Sequence, residues 1–102
     1  MPIHTETRTL LTIVTEGVVE NLLLADLDRL GVRGYTITNA RGSGAHGLRD
    51  ANWDAATNIR VEIICARAQA ENLIEFLREH YFANYAMVTF LHEVEVLRPE
   101  KF

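Results

Sequence analysis

Arg41, His46 and Arg49 lie close together in the chain, and Gly42, Gly44 and Gly47 punctuate the same stretch. Guanidinium groups present a planar fork of donors that matches carboxylate and phosphate. Glycines let the backbone turn its amides toward an anion and let a ligand come close. The chemistry on offer is therefore capture of a small anion. Nine of the ten basic residues are arginine, and Lys101 is the one lysine. Trp53 sits further along the same segment among polar residues, where it either folds back on its own subunit or meets a ligand or partner. Taken alone the segment also reads as a solvated loop, since the phosphate-binding spacing G-x-x-x-x-G-K-[ST] does not occur.

Catalytic and metal chemistry find less support. His4, His46, His80 and His92 show no H-E-x-x-H or related spacing, so no metal site is expected. Cys65 lies in an apolar run without a base nearby in sequence, and reads as core. His92 and Glu93 are neighbours on an expected strand, so their side chains point to opposite faces and form no local dyad. His80 falls near the end of an expected helix, where a cation suits the dipole. No catalytic residue is assigned. The alternative from another class is a small enzyme, a slow nucleotide phosphohydrolase or an isomerase, with Glu62 or His46 as acid or base.

These residues need a scaffold. Thr9 to Val14 is β-branched or leucine and reads as a short buried strand. Val19, Leu23, Leu27 and Leu30 then recur at helical spacing, which predicts a helix from about Glu16 to Leu30, capped by Thr15 and ended by Gly31. Tyr35 to Ala40 alternates and reads as a strand. Asn58 to Cys65 is a second clear strand, with Ile59, Val61, Ile63 and Cys65 on one face and Arg60 and Glu62 on the other. Ala70, Leu73, Ile74, Leu77 and Tyr81 predict a helix from about Arg67 to His80 with a poor N-cap at Ala66. Tyr85 to Leu97 reads as a long last strand, apolar on both faces near Met87 to Leu91, which suggests a central position or an intersubunit contact. The tails are residues 1 to 7 and the stretch after Pro99.

The order β-α-β-β-α-β is the split βαβ pattern of an α+β, ferredoxin-like fold, an antiparallel sheet with both helices on one face. The other face then needs a cover, which association into a homotrimer would supply. Residues 42–57 join two strands by a segment longer than about 12 to 15 residues, a length uncommon in compact domains unless the loop is functional or disordered. The 102 residues suit one domain, 1–102. A net charge of −4 without a basic stripe argues against nucleic acid. One cysteine excludes an intrachain disulfide, and no apolar run approaches a bilayer span, so a cytoplasmic protein without membrane insertion is expected.

Several segments together resemble one family. Gly31-Val32-Arg33-Gly34-Tyr35-Thr36, followed by Arg41-Gly42-Ser43-Gly44, is similar to the segment that leads into the T-loop of PII signalling proteins. Asn58-Ile59-Arg60-Val61-Glu62-Ile63 resembles the strand that leaves that loop. Tyr81-Phe82, Tyr85 and the run from Glu95 to Phe102 look like the PII-like branch linked to inorganic-carbon uptake, which includes a carboxysome-associated protein and regulators of a bicarbonate transporter.

The resemblance implies a trimer with nucleotide sites in clefts between subunits and a T-loop at 42–57. It carries the family's glycines to Gly42 and Gly44, its adenine-side threonine to Thr36 and its strand glutamate to Glu62, beside Ile64 as a backbone partner. The family's loop arginines fall at His46 and Arg49; a histidine there is shorter and only partly charged near neutrality, so weaker or pH-sensitive phosphate affinity is expected. Ser43, Arg41 and Arg60 stand in the matching segments, and Arg98 and Lys101 supply charge near the phosphates. The lysine-containing phosphate loop of classical PII is missing, which favours AMP, ADP or cyclic AMP over ATP with 2-oxoglutarate. Bicarbonate is a further expected ligand, with donors between Arg41 and Arg49. The implied partner is a bicarbonate transporter or another protein of inorganic-carbon uptake.

Overall fold

The computed structural model describes residues 2–41 and 58–102. Strand β1 (Glu6–Glu16) runs through a short 3-10 turn (Gly17–Val19) into helix α1 (Glu20–Arg29). Strands β2 (Thr36–Ala40) and β3 (Asn58–Cys65), helix α2 (Arg67–His80) and strand β4 (Met87–Val96) follow, and a second 3-10 turn covers Pro99–Lys101. The sheet order is β2-β3-β1-β4, and every neighbouring pair is antiparallel. This is the ferredoxin-like arrangement expected from the element order.

Alternation along β1 explains how the two layers join. Thr9, Leu11, Ile13 and Thr15 are buried, as are Ile59, Val61, Ile63 and Cys65 of β3. Directly opposite residues share a face, so the Leu11–Ile63 and Ile13–Val61 pairs build one apolar floor. Leu23 and Leu27 of α1 and Ala70, Leu73 and Leu77 of α2 complete the same core cluster. Each buried leucine contributes about 1.5–3 kcal/mol through burial.

The end of α1 follows from Gly31. Its φ is +84°, a conformation open to glycine at little steric cost. The Gly31 amide bonds to the Asp28 carbonyl at 3.1 Å and the Val32 amide to the Leu27 carbonyl at 3.0 Å. That pair of bonds is a Schellman cap, and Val32 packs back on the core as the motif requires. The N-cap of helix α2, Ala66, makes no side-chain cap bond, as its sequence predicts.

Four expectations about element ends change. Strand β1 extends to Glu6 and Glu16, because pairing with both β3 and β4 adds ladder bonds beyond the apolar stretch. Thr15 therefore belongs to the sheet, and its hydroxyl donates to the Ala86 carbonyl at 2.8 Å instead of capping a helix. The α-helix begins only at Glu20, after the 3-10 turn. Strand β4 starts at Met87 and lies at the sheet edge, so its apolar second face does not come from a central position.

The face of the sheet away from the helices carries Leu10, Thr12, Val14, Arg60, Glu62, Ile64, Val88 and Phe90, as the register requires. Val88 is 53% exposed there. Thr12 is fully buried at its centre, and its hydroxyl has no hydrogen-bond partner among the described residues.

Candidate functional site

Three segments converge at one end of the sheet. The turn after α1 brings Arg33, Gly34 and Tyr35; β3 brings Glu62, Ile64 and Cys65; the turn at Pro99–Lys101 brings Lys101 and Phe102. A cavity of about 290 Å³ is lined by Leu10, Gly34, Tyr35, Thr36, Glu62, Ile64 and Phe102. A second, of about 260 Å³, adjoins it and adds Val32, Arg33, Ile63, Cys65, Gln69 and Lys101. Gly34, Ile64 and Phe102 line both.

Backbone and side-chain bonds hold this end together. Arg8 of β1 donates to the Pro99 carbonyl at 3.4 Å, and Arg33 donates to the Glu100 carbonyl at 3.4 Å. Within the turn, the Lys101 amide bonds to the Arg98 carbonyl and the Phe102 amide to the Pro99 carbonyl, both at 3.0 Å. From α2, Gln69 donates to the Gly31 carbonyl at 3.5 Å. Gly34 leaves open space where a Cβ would stand, so the backbone there is free to be approached.

The sequence-predicted residues divide into three groups. Thr36, Glu62 and Ile64 come together in the first cavity, and Lys101 lines the second. Arg60 sits two residues from Glu62 on the same face, with its Nε 3.4 Å from the Glu62 carboxylate and its guanidinium 5.9 Å from the Phe90 ring centre. Arg41 follows the end of β2 and is exposed, while Arg98 points to solvent beside Glu100 at 3.6 Å. Gly42, Ser43, Gly44, His46, Arg49 and Trp53 lie outside the described residues, as does the whole segment 42–57.

Sequence reasoning passed over Leu10, Arg33, Gly34, Tyr35 and Phe102 as lining or supporting groups. Leu10 belongs to the face of β1 that its alternation turns away from the core. Phe102 carries no periodic signal, because it follows the last strand. The visible clue was an aromatic standing after a charged turn.

The first cavity combines an apolar lining with a hydroxyl and a carboxylate. Such a lining accepts a planar, mostly apolar body and fixes it through a few polar contacts. Burial pushes the Cys65 thiol above its ordinary pKa, so it stays protonated and unreactive at neutral pH. Among the described residues no group of three or more His, Cys, Asp or Glu side chains could hold a metal ion. No helix among them is long and apolar enough to cross a membrane.

Comparison with known proteins agrees with this geometry. The family model described as nitrogen regulatory protein P-II matches residues 8–101. A PII-like signalling protein of Thermus thermophilus superposes with a TM-score of 0.81 at 39% identity, over 98% of this chain and 99% of that one. CPII of Thiomonas intermedia, bound to ADP and bicarbonate, gives a TM-score of 0.82 at 31% identity over 99% of each chain. The same protein bound to ADP, AMP and acetate gives 0.82 at 29% identity over 98% of each. The strand order, the cavity where the turn meets β3 and a match that spans nearly every described residue place this chain in the nitrogen regulatory protein P-II family.

Proposed function

We propose that this PII-like regulatory protein binds AMP or ADP, with cyclic AMP as a further adenylate, at the end of the sheet where Thr36, Glu62 and Ile64 line one cavity. That juxtaposition carries the reading. Support comes from CPII, a relative of the same fold bound to ADP, AMP and bicarbonate. None of Arg41, Arg60, Arg98 and Lys101 lines this cavity, so the phosphate end of the ligand extends beyond it toward another surface. The proposed surface is a neighbouring subunit of a homotrimer, packed through the sheet face that bears Val14, Val88 and Phe90.

In this reading each chain is a single domain over residues 1–102 and works in the cytoplasm. Gly42, Ser43, Gly44, His46 and Arg49, with Arg41, Arg60, Arg98 and Lys101, serve the phosphates. Bicarbonate meets the donors between Arg41 and Arg49. The segment 42–57, counterpart of the family's T-loop, passes the state of the site to a protein of inorganic-carbon uptake such as a bicarbonate transporter.

The test is a thermal-shift and calorimetry screen of AMP, ADP, ATP and cyclic AMP, each with and without bicarbonate. A ligand that binds only the folded protein raises its melting temperature. AMP or ADP should do so, and Arg49→Ala should weaken that binding while the oligomer stays intact. Melting that ignores all four nucleotides would sink the proposal.

A further inference from the structure

We propose that Phe102 and Tyr35 act as an aromatic clamp that reads the heterocycle of the bound ligand, an inference that rests on the adenylate reading above. Both are large aromatics that line the same cavity of about 290 Å³. Both also remain well exposed, Phe102 at 38% and Tyr35 at 45%. An exposed aromatic in an irregular segment is ordinarily free to move. Phe102 is instead fixed by its backbone, since Arg8 and Arg33 hold the carbonyls of Pro99 and Glu100, and its own amide closes the turn onto Pro99.

Placement of Phe102 is what this scaffolding achieves. Phe102 lines both cavities, one shared with Leu10, Thr36 and Glu62 and the other with Arg33 and Lys101. A ligand with a flat apolar part and a charged part matches that division. The flat part gains from ring stacking, a contact that needs an aromatic face and not merely apolar bulk. Tyr35 follows the turn after the Gly31 cap, and neither ring belongs to the core cluster or to the hydrophobics packed against it. Their freedom from the core leaves them available to a ligand.

Calorimetry with AMP and ADP on the wild-type protein and on Phe102→Ala, Phe102→Leu, Phe102→Trp and Tyr35→Ala tests the clamp, with melting curves as the check on folding. Phe102→Ala should weaken AMP binding ~10- to 100-fold, in keeping with the loss of a base–aromatic stack. Phe102→Leu should lose nearly as much and Phe102→Trp should keep wild-type affinity. Tyr35→Ala should lose ~10-fold or more. Unchanged AMP affinity in Phe102→Ala, or full affinity in Phe102→Leu, overturns the clamp while leaving adenylate binding in place. Absence of AMP and ADP binding to the wild-type protein overturns the adenylate reading itself.

Discussion

The phenol of Tyr81 donates a hydrogen bond to the Asp26 carboxylate, tying the end of α2 to the side of α1. Arg29 reaches the same carboxylate and lies 5.7 Å from the Phe76 ring centre. Burial pushes the Asp26 carboxyl upward, but the bonds from Tyr81 and Arg29 outweigh it and hold the group below its ordinary pKa. Burial and the Asp26 carboxylate push the Tyr81 phenol well above the tyrosine range.

Both shifts predict a pH dependence of stability. The lowered Asp26 value stabilises the fold above the ordinary carboxylate range near 4, and this contribution is lost as pH falls through the folded value. The raised Tyr81 value stabilises below about pH 10 and is lost as pH rises further. Tyr81→Phe should cost ~1.5 kcal/mol at neutral pH and should flatten the alkaline limb relative to the wild type. Urea midpoints measured from pH 3 to 11 check this; parallel alkaline limbs in the two proteins would refute it.

Gly31 offers a backbone test free of packing effects. A Cβ there meets no heavy atom within 4 Å, yet the φ of +84° strains any other L-residue. Gly31→Ala should therefore destabilise by about 1–2 kcal/mol, with Gly31→Asn milder. Gly34, also open around its Cβ position but without positive φ, is the control, and Gly34→Ala should stay within ~0.5 kcal/mol. Equal losses at the two positions in urea denaturation would contradict the cap.

Much of this fold was legible because its periodicities are clean. Ile59 to Cys65 alternates and Ala70 to Tyr81 repeats at helical spacing, so β3 and α2 lie between the residues expected. Where local pattern and long-range pairing disagreed, pairing prevailed: Glu6 and Thr7 look like a tail in sequence but find Val96 and Glu95 opposite them. Thr15 looks like a cap but bonds to Ala86, a residue that no local rule brings near. At the site, Thr36, Glu62 and Ile64 emerged through family resemblance, and the structure brings them to one cavity. Phe102 stayed hidden because its position depends on Arg8 and Arg33, from two distant segments.

The sheet face without helices supplies a test of assembly. Val88 lies opposite Val14 and is 53% exposed, so in the proposed homotrimer an acid there disturbs the subunit contact more than the subunit's own core. Val88→Asp should keep its far-ultraviolet circular dichroism while its mass in sedimentation falls from trimer to monomer. A trimer of undiminished stability would exclude this face from the interface.

Among the described residues strand β1 pairs only with strands made much later; Thr5, just ahead of it, bonds to Glu95, 90 residues away. At synthesis rates of roughly 5–20 residues per second, the inner strand waits on the order of 5–18 s before its last neighbour has been made. Its Leu10 to Val14 stretch is β-prone and uncharged, so until its neighbours are made it is open to pairing with strands of other chains.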